Sequence, residues 1–313
     1  MASILERELL VLTGKGGVGK TTVSAALGLL AADRGLRTIV VEVGDQRRLT
    51  ELFGVVEEDV GVETKLQQNL WSISIDPDRA LLEWLQALGG RVSGRMLASS
   101  GTFQYFAAAA PGAKELVSMV KIWKLAEDRR RGGKRPGGYD LVILDAPATG
   151  HALGMLHSPQ TFGAIARVGP IASQTERVRE LLADPMRSGY LAVAQPTEMA
   201  VTETLELQDG LRLKLGRELH TVVVNGTLPR RFSAAEISRI DGLAESDSTT
   251  PNSVTRSAAL AARAVHDRAS FQHNQISRLR RRSFEVLPVP FIFAAELDLP
   301  AVERIAQHLS KQL

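Results

Sequence analysis

The residues that invite chemistry lie between Val11 and Gly35, in the run VLTGKGGVGKTTVSAALGLLAADRG. Gly14-x-x-x-x-Gly19-Lys20-Thr21 sets two glycines, a lysine and a hydroxyl at the spacing of a phosphate-binding loop. Glycine permits both the tight turn and the close approach that let backbone N–H groups converge on phosphate oxygens at a helix N-terminus. In that chemistry Lys20 reaches the β- and γ-phosphates of ATP, and the Thr21 hydroxyl binds Mg2+. The expected cradle is Gly14, Lys15, Gly16, Gly17, Val18, Gly19, Lys20, Thr21 and Thr22. Lys15 exceeds what the motif needs. Its ammonium requires a negative partner beyond the phosphates that Lys20 already serves.

A second run, Tyr139-Asp-Leu-Val-Ile-Leu-Asp145-Ala-Pro-Ala-Thr-Gly-His151, is an apolar strand ending in a carboxylate. At the C-terminal end of a parallel strand, Asp145 stands where such sheets bind ligands, placed to hold Mg2+ through water. The Pro/Gly turn expected after it can sense a γ-phosphate.

Positioning these groups is the task of a buried sheet. Apolar runs of strand length occur at Leu9–Leu12, Thr38–Val43, Trp71–Ile75, Leu141–Leu144, Tyr190–Ala194, Thr221–Val224 and Phe284–Val289. Most are followed by helical patterning, which predicts an α/β fold with a doubly wound, mostly parallel sheet covered on both faces. The first helix is expected over Thr22–Ala32, with Gly35 placed to stop it. Helix-like Ala113–Arg131 and Gln160–Leu182 suggest a helical subdomain, about residues 78–138 and 160–187, inserted in a single domain of 313 residues. Polar Ser246–Val254 reads as a surface loop.

A hydrophobic content of 44% can fill a sizeable core, and a formal charge of only +3 does not demand nucleic acid as a partner. The absence of cysteine removes thiolate metal sites, iron–sulfur clusters and cysteine nucleophiles. The chain enters a strand almost at once, without a secretory pattern, and lacks the ~18 apolar residues in a row that a membrane span needs. A cytoplasmic protein is expected.

Lys15-Gly-Gly-Val-Gly-Lys20-Thr-Thr22 resembles the deviant Walker A motif of the dimeric ATPases. These include arsenical-pump, tail-anchored-protein targeting, septum-site and plasmid-partition ATPases and the nitrogenase iron protein. The resemblance implies that Lys15 crosses a dimer to the partner's phosphates. Asp145 with Thr149-Gly-His151 resembles switch II of the arsenical-pump and tail-anchored-protein families, and the septum and partition ATPases lack that ending. Ser74–Leu85, Pro111–Glu127 and Val224-Asn225 also resemble segments of those families, with Asn225 at the position that reads the adenine ring.

The resemblance implies an ATP-hydrolysing homodimer, or a heterodimer with a paralogous ATPase. A membrane-protein client or membrane partner is implied too. Switch I departs from the family's Asp-Pro-Ala-His pattern: the chain has Gly44-Asp45-Gln46-Arg47-Arg48-Leu49. Asp45 would have to position the attacking water one residue late. The alternatives are a weakly or non-hydrolysing nucleotide-gated regulatory subunit and a membrane-surface ATPase of the septum type. Apolar Met96–Leu97 and Phe103–Ala110 could line a client groove, although helix core is the commoner use of such stretches.

Overall fold

The computed structural model describes residues 4–44, 47–56, 59–88, 112–127, 138–165, 169–245 and 253–313. Among these, eight strands form one sheet: β1 (Leu9–Gly14), β2 (Thr38–Val43), β3 (Thr64–Gln67), β4 (Leu70–Ile75), β5 (Leu141–Ala148), β6 (Ser188–Ala194), β7 (Thr221–Thr227) and β8 (Glu285–Pro290). Their order is β3-β4-β2-β5-β1-β6-β7-β8, and every neighbouring pair is parallel except β3 with β4. All residues of β1 and of β6 are buried, which requires helices on both faces and explains why both strands read as unbroken apolar runs.

The helices are α1 (Lys20–Asp33), α2 (Arg48–Leu52), α3 (Pro77–Leu88), α4 (Ala113–Glu127), α5 (Thr149–Ile165), α6 (Pro170–Ala183), α7 (Glu198–Leu215), α8 (Ala234–Glu245), α9 (Ser253–Leu279) and α10 (Leu299–Ser310). α1 and α10 pack together, while α4, α5, α6, α7 and α9 form a connected layer touching β5, β1, β6 and β7. The buried side of α4, including Leu116, Met119, Ile122 and Trp123, belongs to the same core as the sheet.

Several sequence expectations need correction. β3 was not anticipated: it is four residues long with one buried side chain, Leu66, and joins β4 through a tight turn in which Asn69 takes φ 59°. Asn tolerates that left-handed conformation better than most residues. No turn follows Asp145. β5 runs on to Ala148, and α5 starts directly at Thr149. The helix expected over Gln160–Leu182 is two helices, because Gly169-Pro170 opens a new first turn where proline's missing N–H costs nothing. Pro159 lies inside α5, and the Met155 carbonyl that it leaves without an amide donor accepts from the Ser158 hydroxyl at 2.7 Å. Ser253 and Val254 open α9 rather than close a loop. Residues 246–252, the continuation of α4 towards Arg131, and the proposed groove segments at Met96–Leu97 and Phe103–Ala110 lie outside the described residues. Met119 and Met155 are core side chains.

Candidate nucleotide-binding site

The glycine-rich loop leaves the centre of the sheet between β5 and β6, and steric constraints fix its path. A Cβ on Gly14, at φ 151°, would sit 2.1 Å from the Val193 carbonyl oxygen. Gly19 takes φ 92° where α1 begins, and a Cβ there would lie 2.4 Å from the Asn225 amide nitrogen. Both positions admit glycine alone. Asn225 Nδ2 donates to the Val18 carbonyl at 3.0 Å, so the end of β7 braces the loop from a distance of 207 residues.

Lys20 and Lys15 are both folded back onto the chain. The Lys20 ammonium donates to the carbonyls of Gly14 at 3.3 Å and Lys15 at 3.2 Å. Lys15 is ion-paired with Glu203 on α7. The negative partner that the sequence left open is therefore present within the same chain.

Asp145 is buried at the end of β5. Its carboxylate accepts from the hydroxyls of Thr21 at 2.6 Å and Ser24 at 3.2 Å. Burial pushes the Asp145 carboxyl above the usual carboxylate range, against the pull of the Thr21 hydrogen bond, Lys20, Ser24 and Arg48. Burial likewise lowers Lys20, aided by Arg48 and opposed by Asp145. A desolvated carboxylate beside a half-buried ammonium, each only partly compensated by the other, is an arrangement that Mg2+ and phosphate relieve. The hydroxyl and carboxylate oxygens meeting at one point are donors of the kind Mg2+ takes. The site fits both.

Switch II is tied to the loop through Thr13, whose hydroxyl donates to the Pro147 carbonyl at 3.1 Å. Thr149 is half-buried, and Gly150 and His151 are exposed on the first turn of α5. In switch I, Gly44 takes φ 104°, its carbonyl accepts from Ser74 at 2.8 Å, and its N–H donates to Ile75 at 2.9 Å. That backbone disfavours any side chain at this position. Asp45 lies outside the described residues. Buried Glu42, opposite Asp145 in the β2–β5 register, accepts from the Leu49 amide at 3.4 Å and ties β2 to α2.

Beyond Asn225, the C-terminal ends of β6, β7 and β8 open into a cavity of about 620 Å3. Pro196, Val265, Phe291 and Phe293 give it apolar walls, and Arg268 and Gln272 add polar groups. The two phenylalanines meet edge to face with centroids 4.8 Å apart. The volume suits a small-molecule site. The sequence marked Asn225 here but not the aromatic pair, which follows β8 in a segment without a motif.

The model of the Anion-transporting ATPase family matches residues 7–174, more than half of the chain. The chain belongs to this family. ATPase BagA of Mycobacterium tuberculosis is 29% identical over 253 residues, covering 78% of this chain and 73% of the relative. ATPase GET3C of Arabidopsis thaliana is 24% identical over 306 residues, covering 79% and 76%. ATPase ASNA1 homolog 1 of Paramecium tetraurelia is 24% identical over 271 residues, covering 73% and 78%. This member of the anion-transporting ATPases is accordingly an ATPase that uses ATP with Mg2+. No helix among the described residues is long and apolar enough to cross a membrane.

Proposed function

We propose that the chain is a cytoplasmic ATPase that closes as a dimer on bound ATP and couples its nucleotide state to a membrane-protein or transport partner. The observation that carries this reading is the pair of lysines in one loop beside buried Asp145, each lysine held by acceptors that phosphate can replace. Gly14 to Thr22 would cradle the phosphates through backbone N–H groups, with Lys20 on the β- and γ-phosphates. Thr21 and Asp145 would hold Mg2+, which on binding neutralises phosphate charge. Asn225 Nδ2 is spent on Val18, which leaves its Oδ1 to accept from an adenine amino group in the adjoining cavity. Lys15 would reach the partner's phosphates, Asp45 would orient water, and switch I and switch II would pass their movement to a helical subdomain of about residues 78–138 and 160–187.

One observation favours a second reading, a regulatory subunit that binds ATP and turns it over slowly: the left-handed backbone at Gly44 where the family has its water-positioning aspartate. A membrane-surface role through the apolar face of α10 has less support, since its Val302, Ile305 and Leu309 are buried.

Steady-state ATP hydrolysis, with sedimentation in the presence and absence of Mg2+ and ATP, tests the reading. The expected result is a doubling of mass in ATP, and loss of about a hundredfold in turnover in Lys15→Ala with ATP affinity retained. The same loss in Asp45→Asn supports the enzyme reading. Tight ATP binding without turnover in the unaltered chain supports the regulatory one. A mass indifferent to ATP rejects dimer closure.

A further inference from the structure

The ion pair of Lys15 with Glu203 joins the phosphate loop to a helix 188 residues away. Nucleotide binding within one chain does not require it. Glu203 is fixed by a well-anchored helix: the Thr197 hydroxyl caps the α7 N-terminus by accepting from the Ala200 amide at 3.4 Å. The Thr204 hydroxyl donates to the Ala200 carbonyl at 2.8 Å, and Val201, Thr204 and Leu207 are buried. The Lys15 and Glu203 side chains remain 34% and 30% exposed, so the pair faces outward and a second molecule can reach it.

We propose that Glu203 is the positioning residue for Lys15, a counter-ion that holds the ammonium on its own chain and releases it only when a second copy of this chain offers bound phosphates. The inference rests on the reading that Lys15 acts across a dimer. Two ammonium groups stand in one short loop, and a triphosphate bound in the same chain attracts both. Lys20 is directed at the loop carbonyls Gly14 and Lys15. Glu203 draws Lys15 the other way, towards α7, and so keeps it from being consumed by phosphates of its own chain.

The pair has the strength such a device needs. A partly exposed ion pair shifts an equilibrium by about fivefold at most. Two pairs break when a symmetric dimer closes, so together they oppose closure by up to about 25-fold. Opposition of that size is overcome by two sets of phosphate contacts, and it acts only on the closure in which the pairs break.

The test is the dimer dissociation constant by sedimentation of the full chain, measured without nucleotide, with Mg2+ and ADP, and with Mg2+ and a slowly hydrolysed ATP analogue. In Glu203→Gln, which keeps the side chain's shape, the constant with the ATP analogue is expected to fall about five- to 25-fold. Without nucleotide it stays unchanged. Glu203→Asp, whose carboxylate is one methylene short, should give a smaller shift in the same direction. An unchanged or weakened dimer in Glu203→Gln overturns the inference while leaving the dimer reading intact, and so does equal tightening without nucleotide. An unaltered chain that stays monomeric with the ATP analogue at every concentration overturns the dimer reading and this inference with it.

Discussion

At the residue scale the site is a balance of two charged groups that burial strips of water and that only partly compensate each other. Asp145 has a folded-state pKa above its ordinary 3.8, so folding favours its protonated form. The stability of the ligand-free protein therefore falls as pH rises from 3.8 through the raised value, and the full penalty is present above it. Lys20 is lowered from 10.5, so its penalty is present at neutral pH and is relieved only as pH rises through the lowered value. Asp145→Asn keeps an acceptor for Thr21 and removes the buried charge. It should raise the melting temperature of the ligand-free protein at pH 7 by about 2–4 °C. It should abolish the further gain from Mg2+ with ATP, and the difference between the two proteins should vanish near pH 3.5. Thermal denaturation at both pH values checks all three. The loop residues and Asp145 were legible because their spacing and strand-end position carry meaning on their own, whereas Asn225 was marked only by the family resemblance. Ser24 was within reach of the same reasoning, one turn along α1 from Thr21. Glu203 was not, because nothing local on a helix distinguishes the glutamate that will meet a lysine 188 residues earlier.

At the scale of elements, the parallel strands were legible because burial on both faces demands unbroken apolar runs. β3 was not, since an edge strand with a single buried side chain carries almost no pattern. The strand–helix junction at Thr149 was misread for a related reason: Ala-Pro-Ala-Thr-Gly has the composition of a turn, yet Pro147 is accommodated at the strand's end, where its carbonyl accepts from Thr13. The strand β1 ends in a register shift between Leu12 and Gly14 against β5, which turns the chain into the phosphate loop. Gly14→Ala would drive a methyl group against the Val193 carbonyl, with backbone on both sides unable to yield. The expected cost is about 3 kcal/mol, with a parallel loss of ATP affinity, since β1 and β6 must separate at the point where the loop departs. Chemical denaturation and nucleotide titration of the same preparation measure both. A stable variant with unchanged affinity would show that the loop is not constrained in this way.

At the scale of the molecule, the C-terminal helix and the phosphate loop form one mechanical unit. α10 contributes Val302, Ile305 and Leu309, all buried, against α1, whose own side chains are buried nearly all round. An amphipathic helix such as α10 states that it has a partner without stating which, so its packing on α1 shows only in the structure. Leu309→Ala should cost about 2–4 kcal/mol and weaken ATP binding although it lies far along the chain from the loop, an outcome that calorimetry can separate from unfolding by titrating well below the melting temperature. α10 follows every other described element in the chain, so a ribosome delivers it after all of them. Until it emerges, the side of α1 that it covers is without that cover. The face of α1 that α10 covers is thus the last part of the described core to be closed.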